Sequence, residues 1–393
     1  MLPQIIKEKA SLYFKDIQAI RHHIHAHPEL SFEEFKTSAY VKQKLNEWGI
    51  RNEDIGGTGV LAYIEGNNPG KKIIMLRADL DALPIHERND IDYKSLNEGV
   101  MHACGHDVHT SSLLGAARIL NEIKDQFEGT IKLIFQPGEE KLPGGASILI
   151  KEGILFPKPD AMIGQHVMPE LQVGKVGFRP GLYMASTDEI YITVTGKGGH
   201  GAMPFQNIDP VLISAHLIVA LQQVVSRWAN PSTPTVLSFG KVIANGATNV
   251  IPDEVKIEGT FRTFDEEWRK TAHEKMKTLA KGLVESMGGT VDFNIMNGYP
   301  FLKNDEALTK RMQAAAIQYL GAENVVDLEL RTTAEDFAFY THYTDCCFYR
   351  LGVGNPGKGI KAPVHSPHFN IDEEALKTGM GLIAWLAVEE LVS

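Results

Sequence analysis

The stretch "KKIIMLRADLD", residues 71–81, runs apolar from Ile73 to Leu76 and then delivers two carboxylates, Asp79 and Asp81. A short apolar run of this kind reads as a strand buried on both faces. "GTIKLIFQPGEE" (129–140) repeats the plan, running from Ile131 to Phe135 before Glu139 and Glu140. "DAMIGQHV" (160–167) is shorter and delivers His166. Helical patterns alternate with these strands, as in Leu113, Leu114, Ala117, Leu120 and Ile123. Such alternation predicts an α/β fold with a largely parallel sheet, whose ligands gather beyond the carboxyl ends of the strands. Three separate strands point acids and an imidazole at that edge.

"MHACGHDVHT" (101–110) lies in the loop before a helix expected to begin near Asp107. Cys104 and His106 offer thiolate and imidazole, good ligands for a borderline-soft metal. The same two groups could form a Cys–His nucleophilic pair. The helix N-terminus is expected to lower the Cys104 pKa and favour thiolate. His102 and His109 read as hydrogen-bonding or capping residues, and Asp79 and Asp81 as acids that could orient ligand imidazoles. "PVHSPHFNIDEEAL" (363–376) adds His365 and His368 before a final helix expected from about Asp372. The four histidines of "RHHIHAHPEL" (21–30) sit within or just after a helix and lack converging acids in the sequence, so a structural or surface role is expected.

The adjacent Glu139 and Glu140 carry an argument of their own. Amide hydrolysis needs a nucleophile stronger than neutral water. One carboxylate can hold a metal while the other moves the proton.

A chain of 393 residues is long for one core and predicts two domains. Hydrophobic content of 43% and charged content of 22% suit a soluble globular protein, and a net charge of −10 argues against a nucleic-acid surface. The opening segment reads as an amphipathic helix, neither signal peptide nor membrane span, and a cytoplasmic location is expected. Of three cysteines, Cys346 and Cys347 fall in an apolar run and read as buried strand residues. From 188 to 298 the pattern becomes βαββαβ, with helices at 209–229 and 265–288, the order of a ferredoxin-like domain. The expected architecture is a discontinuous catalytic domain (1–185 and 296–393) with an inserted ferredoxin-like βαββαβ lid domain (186–295).

"RADLDALP", "HACGHDVH", "FQPGEE", "GQHV", "GKGGHGAMP", "TNVIP", "AEDFAFY" and "HSPHF" follow one another along nearly the whole chain. This ordered set resembles the M20 metallopeptidase family, and most closely its amidohydrolase branch. The resemblance implies a hydrolase with two divalent metal ions (Zn, Mn, Co or Ni). It matches Cys104, His106, Glu140, His166 and His365 to metal ligands and Glu139 to the general base. In the wider family a bridging aspartate stands where this branch has the cysteine. Cys104 is thus expected to bridge, with His106 and His166 completing one metal and Glu140 and His365 the other. "AEDFAFY" departs from the more usual "SEDF", so Glu335 receives no role. In the inserted domain, His200 is expected to donate to a developing oxyanion. Asn249 and Arg262 are expected to clamp a substrate carboxylate. The resemblance further implies a homodimer through the lid, with His200 serving the neighbouring subunit's site.

The expected activity is hydrolysis of the amide of an N-acyl amino acid, or a similar small conjugate, by metal-activated water. No nucleic-acid or membrane partner is expected. Rival readings are a dipeptidase or aminopeptidase on the same fold, a metal-free Cys–His hydrolase, and a non-catalytic metal-stabilised binding module. The metal-free scheme leaves Glu140, His166 and His365 without work, and a binding module has no need of Glu139.

Overall fold

The computed structural model describes residues 2–392. The chain divides into two compact units. The first takes the chain up to Tyr183, Lys303–Leu330, and everything from Asp336 onward; the second is Met184–Leu302 with Arg331–Glu335. The return to the first unit therefore comes at Lys303 rather than at 296, and a short later segment belongs to the second. Backbone bonding explains both. Thr187 N donates to Tyr299 O, and Ala185 N lies within hydrogen-bond range of Arg331 O and Thr333 O.

The first unit is built on an eight-stranded sheet. Its spatial order is Arg51–Ile55, Gly59–Glu65, Thr130–Gln136, Ile73–Asp79, Ala161–Gln172, Cys346–Gly354, Val176–Phe178 and Val325–Asp327. The four central strands, from Thr130–Gln136 to Cys346–Gly354, run parallel. They are the apolar runs of the sequence, and Thr130–Gln136 and Cys346–Gly354 are buried at every residue. Antiparallel pairings join Arg51–Ile55 to Gly59–Glu65, Gly59–Glu65 to Thr130–Gln136, and Val176–Phe178 to Cys346–Gly354. The sheet is mixed rather than largely parallel. A short connection accounts for the pairing of Arg51–Ile55 with Gly59–Glu65: the Gly56–Gly57 turn allows only a hairpin, whereas a parallel return needs a long crossover.

Helices Leu2–Ala26, His106–Glu122 and Ala375–Val392 pack on one another, and the latter two also against the central strands. Ala375–Val392 is buried nearly all round, as befits a helix apolar on every face. It starts three residues after Asp372, whose carboxylate accepts from Asn355 Nδ2 (2.6 Å) and Glu374 N (3.2 Å). Each fully buried Leu or Ile in this core contributes about 1.5–3 kcal/mol relative to exposure.

The second unit has a four-stranded antiparallel sheet in the order Thr235–Ile243, Glu254–Thr263, Asp188–Thr195 and Thr290–Asn297. Its element order along the chain is strand, helix, strand, strand, helix, strand, with a small ribbon pairing His200 to Val250. Asp188–Thr195 alternates buried and less buried residues, the period-2 signal of a sheet covered on one face. Helices Pro210–Leu221 and Glu266–Ser286 are capped by Asp209, which accepts from Val211 N, and Asp265, which accepts from Trp268 N. The helical stretch Pro210–Trp228 is long and apolar enough to cross a membrane by length and composition. Ile213, Leu217 and Leu221 belong to the second unit's core, while Val211, Leu212 and Val219 are exposed.

Candidate metal centre

The strands of the first unit deliver their polar ends to one place. Ile73–Asp79 ends in Asp79, with Asp81 two residues on, and the Thr130–Gln136 strand leads to Glu139 and Glu140. His166 lies within Ala161–Gln172. Gly105, at φ 82°, makes the left-handed turn that starts the helix at His106. His365 sits at φ 62°, and its amide donates to Ala103 O at 2.8 Å.

Among the described residues, these side chains form groups whose ligand atoms lie within 4.8 Å of one another: Cys104, His106 and His166; Cys104, Glu140 and His365; and His106, Glu139 and Glu140. Cys104 is common to the first two. Its Sγ is 3.4 Å from His166 Nε2, whose ring is fixed by Nδ1 donating to Val167 O at 2.8 Å. His106 is held through Nδ1 by Asp81 Oδ1 at 3.2 Å. His106 Nε2 is buried without a hydrogen-bond partner among the described residues. His365 Nε2 approaches Glu140 Oε1 to 3.2 Å, yet that oxygen makes no aligned hydrogen bond. Converging thiol, imidazole and carboxylate groups, with His106 Nε2 left unpaired among the described residues, suit the ligands of a shared cation.

Asp79, His106 and His109 also cluster. His109 has both nitrogens committed: Nδ1 donates to Asp79 Oδ1 (2.6 Å) and Nε2 accepts from Val167 N (2.9 Å). That pattern is a neutral imidazole in a structural role, and burial lowers its pKa accordingly. Asp81 orients His106, whereas Asp79 orients His109 and pairs with Arg77 at 2.5 Å. His102 is buried, and neither ring nitrogen has a hydrogen-bond partner among the described residues.

Carboxylates and burial dominate the electrostatics of the site. Burial pulls the His106 pKa down, but Asp79, Asp81 and Glu140 outweigh it and push it up to about 10. Burial, then Glu140, Glu139 and Asp79, push the Cys104 thiol well above its ordinary value. The expectation of a helix-lowered thiol pKa is therefore corrected. The helix terminus is present, but burial and three carboxylates outweigh it. A thiolate here needs a metal ion as counter-charge.

Glu139 is buried, with its Oε1 at 3.4 Å from Asp336 N and its Oε2 at 4.0 Å from His106 Nε2. Asp336, absent from the sequence reading, braces this region by accepting from Arg77 Nη2 (2.7 Å), Gln136 Nε2 (2.8 Å) and Ala146 N (2.9 Å). Its only sequence signal was its place in "AEDFAFY". The N-terminal histidines do find acids. His25 Nδ1 meets Asp107 Oδ2 at 2.8 Å and its Nε2 meets Glu87 Oε1 at 3.2 Å, while His22 pairs with Glu373. The expected lack of converging acids is thus corrected, because the fold brings them from distant segments. His25 is buried and structural.

In the second unit, His200 and Asn249 are neighbours: His200 pairs with Val250, and Gly201 N donates to Asn249 O at 2.8 Å. Both side chains are exposed. His200 Nδ1 accepts from Ala202 N at 3.1 Å, which directs Nε2 away from the ribbon. Arg262 lies on the four-stranded sheet, its Nε donating to Thr260 Oγ1 at 3.3 Å and its Nη1 to Thr332 O at 3.5 Å. It borders an open depression of ≈ 420 Å³ with Glu189, Tyr191, Ser238 and Lys241.

Residues 75–389 match the family described as peptidase family M20/M25/M40. An N-acyl-L-amino acid amidohydrolase of Geobacillus stearothermophilus is 43% identical over 308 residues, covering 78% of this chain and 83% of that protein. IAA-amino acid hydrolase ILR1-like 4 of Arabidopsis thaliana is 37% identical over 391 residues, covering 98% and 88%. The crystal structure of the Bacillus subtilis YXEP protein, a dinuclear metal binding peptidase from the M20 family, matches with a TM-score of 0.83 at 34% identity, covering 97% and 99%. The chain belongs to the M20 peptidase family, in its amidohydrolase branch, and is an enzyme that hydrolyses amide bonds.

Proposed function

We propose that this M20 enzyme removes the acyl group from an N-acyl amino acid or a similar small conjugate, using two divalent metal ions and Glu139 as general base. The observation that carries the reading is the pair of ligand groups sharing Cys104, with His106 Nε2 buried and unbonded among them. It is joined by the similarity to an N-acyl-L-amino acid amidohydrolase and to a dinuclear metal binding peptidase. Cys104, His106 and His166 would hold one ion and Cys104, Glu140 and His365 the other, with the thiolate bridging.

Divalent ions held by these residues would supply Lewis acidity and a water acidic enough to be deprotonated near neutral pH. Glu139 takes the proton of the attacking water and hands it to the leaving nitrogen. His200 donates to the oxygen that gains charge, a contribution on the order of 10²–10³-fold for one such donor. Asn249 and Arg262 hold the substrate carboxylate through fixed donors. The second unit acts as lid and dimerisation surface, and His200 serves the partner subunit. Exposed Val211, Leu212 and Val219 on its helix and Val242 on its edge strand support a two-fold contact there. A cytoplasmic location is part of the same proposal.

The test is hydrolysis of a panel of N-acyl amino acids and free dipeptides after reconstitution with Zn²⁺, Mn²⁺, Co²⁺ or Ni²⁺ in turn. The reading expects metal-dependent turnover, higher on the acylated substrates. Faster cleavage of dipeptides would move the assignment to a peptidase. Undiminished turnover after exhaustive chelation would favour the Cys–His scheme, although the raised thiol pKa of Cys104 speaks against it.

A further inference from the structure

Residues 21–34 supply none of the proposed ligands, yet they bond to the segments that carry His106, Glu139 and Glu140. Arg21 Nε and His25 Nδ1 both hold Asp107 Oδ2, at 2.7 and 2.8 Å, next in sequence to His106. Ser31 Oγ donates to Asp81 Oδ2 at 2.6 Å. That oxygen also accepts from Glu140 N at 2.9 Å, while Asp81 Oδ1 faces His106 Nδ1. Glu34, fully buried, accepts on Oε1 from Gly138 N (2.8 Å) and Phe32 N (2.9 Å), and on Oε2 from Thr58 Oγ1 (2.5 Å). Gly138 immediately precedes Glu139.

Backbone conformation points the same way. Phe32 sits at φ 69°, a left-handed conformation costly for an aromatic residue and kept where the surroundings over-determine it. Its ring lies against Gly138, where a Cβ would come within 2.2 Å of Phe32 Cε1. Ala82 N donates to Glu29 O at 2.8 Å, tying the same turn to the strand end that carries Asp81. The turn and the two site loops thus lock face to face.

We propose that Ser31 and Glu34 are positioning residues for the metal centre and its base. Ser31 fixes the Asp81 carboxylate, which aims His106 and holds the Glu140 backbone. Glu34 fixes the loop that presents Glu139. The two act on different functions: Ser31 on metal binding, Glu34 on proton transfer. The inference rests on the ligand and base assignment above, so its test includes a reading that needs no substrate.

Cobalt(II) affinity by chelator competition, the thermal midpoint of the metal-free protein, and kcat and KM on any turned-over acyl amino acid are measured together. Ser31→Ala should weaken cobalt binding by about 10-fold or more, the range for loss of a group that orients a ligand. Glu34→Ala should keep cobalt affinity within about twofold and KM within about threefold, while kcat falls by up to ~10²-fold, as for a misplaced reacting group. Glu34→Gln should restore most of kcat, since its side-chain oxygen still accepts from Gly138 N. Glu33→Gln, at the exposed neighbour, should change nothing. If Glu34→Ala does not fold, Glu34→Asp carries the same test, because it withdraws the oxygen from Gly138 N and should still lower kcat. Wild-type cobalt affinity in Ser31→Ala, or a Glu34 variant altered only in its thermal midpoint, would overturn the inference. A wild-type chain that binds no cobalt would instead overturn the ligand assignment itself.

Discussion

The two units hold most of their proposed functional residues in opposite ways. In the first, Cys104, His106, His166 and Glu139 are buried, Glu140 is partly buried and His365 alone is exposed, and His106 and His166 are aimed by Asp81 and by the Val167 carbonyl. In the second, His200 and Asn249 stand exposed on a two-residue ribbon. A metal centre tolerates little misplacement, so its ligands are preorganised by packing and hydrogen bonds. A residue that greets substrate or a second subunit can be left open until that partner arrives. The first unit's polar residues should therefore fail singly and severely, and the second unit's should fail in ways that depend on substrate and partner.

The largest effect is expected at Glu139, the proposed base. Glu139→Gln should lower kcat by on the order of 10²–10⁴-fold while the protein still binds metal. Near-normal turnover, assayed with metal content measured in parallel, would remove Glu139 from the mechanism. His200→Ala should lose about 10²–10³-fold alone. Mixed with Glu139→Gln and allowed to exchange subunits, it should recover roughly a quarter of wild-type activity. Half the reassorted dimers are mixed, and each of those has one intact site. No recovery despite proven exchange would return His200 to its own chain or remove its role.

A smaller and substrate-dependent effect is expected from Arg262→Leu. It should lower kcat/KM about 10-fold or more on a free-carboxylate substrate and far less on the methyl ester, because the guanidinium gains only from a charged partner. Equal losses on both would make Arg262 structural.

The smallest effect on turnover comes from the second unit's own ionic lock. Asp188 is buried and accepts from Arg269 Nη2 (2.5 Å), Arg269 Nε (2.9 Å) and His273 Nε2 (2.7 Å). Burial raises its pKa, but His273 and Arg269 outweigh this and hold it below the usual carboxylate range. Its stabilisation is thus present above the unfolded pKa of about 3.9 and lost as pH falls from there through the folded value. Asp188→Asn should cost about 3 kcal/mol near neutral pH, as for breaking a buried pair, and should flatten the acid limb of stability below the unfolded pKa of about 3.9. Unfolding midpoints measured as the pH is lowered would show it, with kcat of the folded protein at 25 °C unchanged.

Sequence reading succeeded where one local pattern carried the information. Apolar runs ending in acids located the central strands, and the ends of those runs located Asp79, Glu139 and the strand holding His166. Edge strands such as Val176–Phe178 and Val325–Asp327 are three residues long, too short for any period to declare itself. The Cys104 thiol is raised rather than lowered because the helix start is a local signal, whereas burial and the opposing carboxylates come from the fold. The acids that meet His25 come from 62 and 82 residues away. Ser31 and Glu34 follow the same rule: polar residues in the link between two helices have no pattern until the fold shows what they hold.

The central claim is a two-ion centre in which Cys104 is a ligand shared by both metals. Cobalt(II) titration of the metal-free wild type and of Cys104→Ala, followed by absorption, tests it most directly. The account predicts two ions per chain in the wild type with a thiolate-to-cobalt charge-transfer band, and in Cys104→Ala loss of that band together with weakened uptake of both ions. Two tightly bound ions in Cys104→Ala, with the band absent from the wild type, would contradict it.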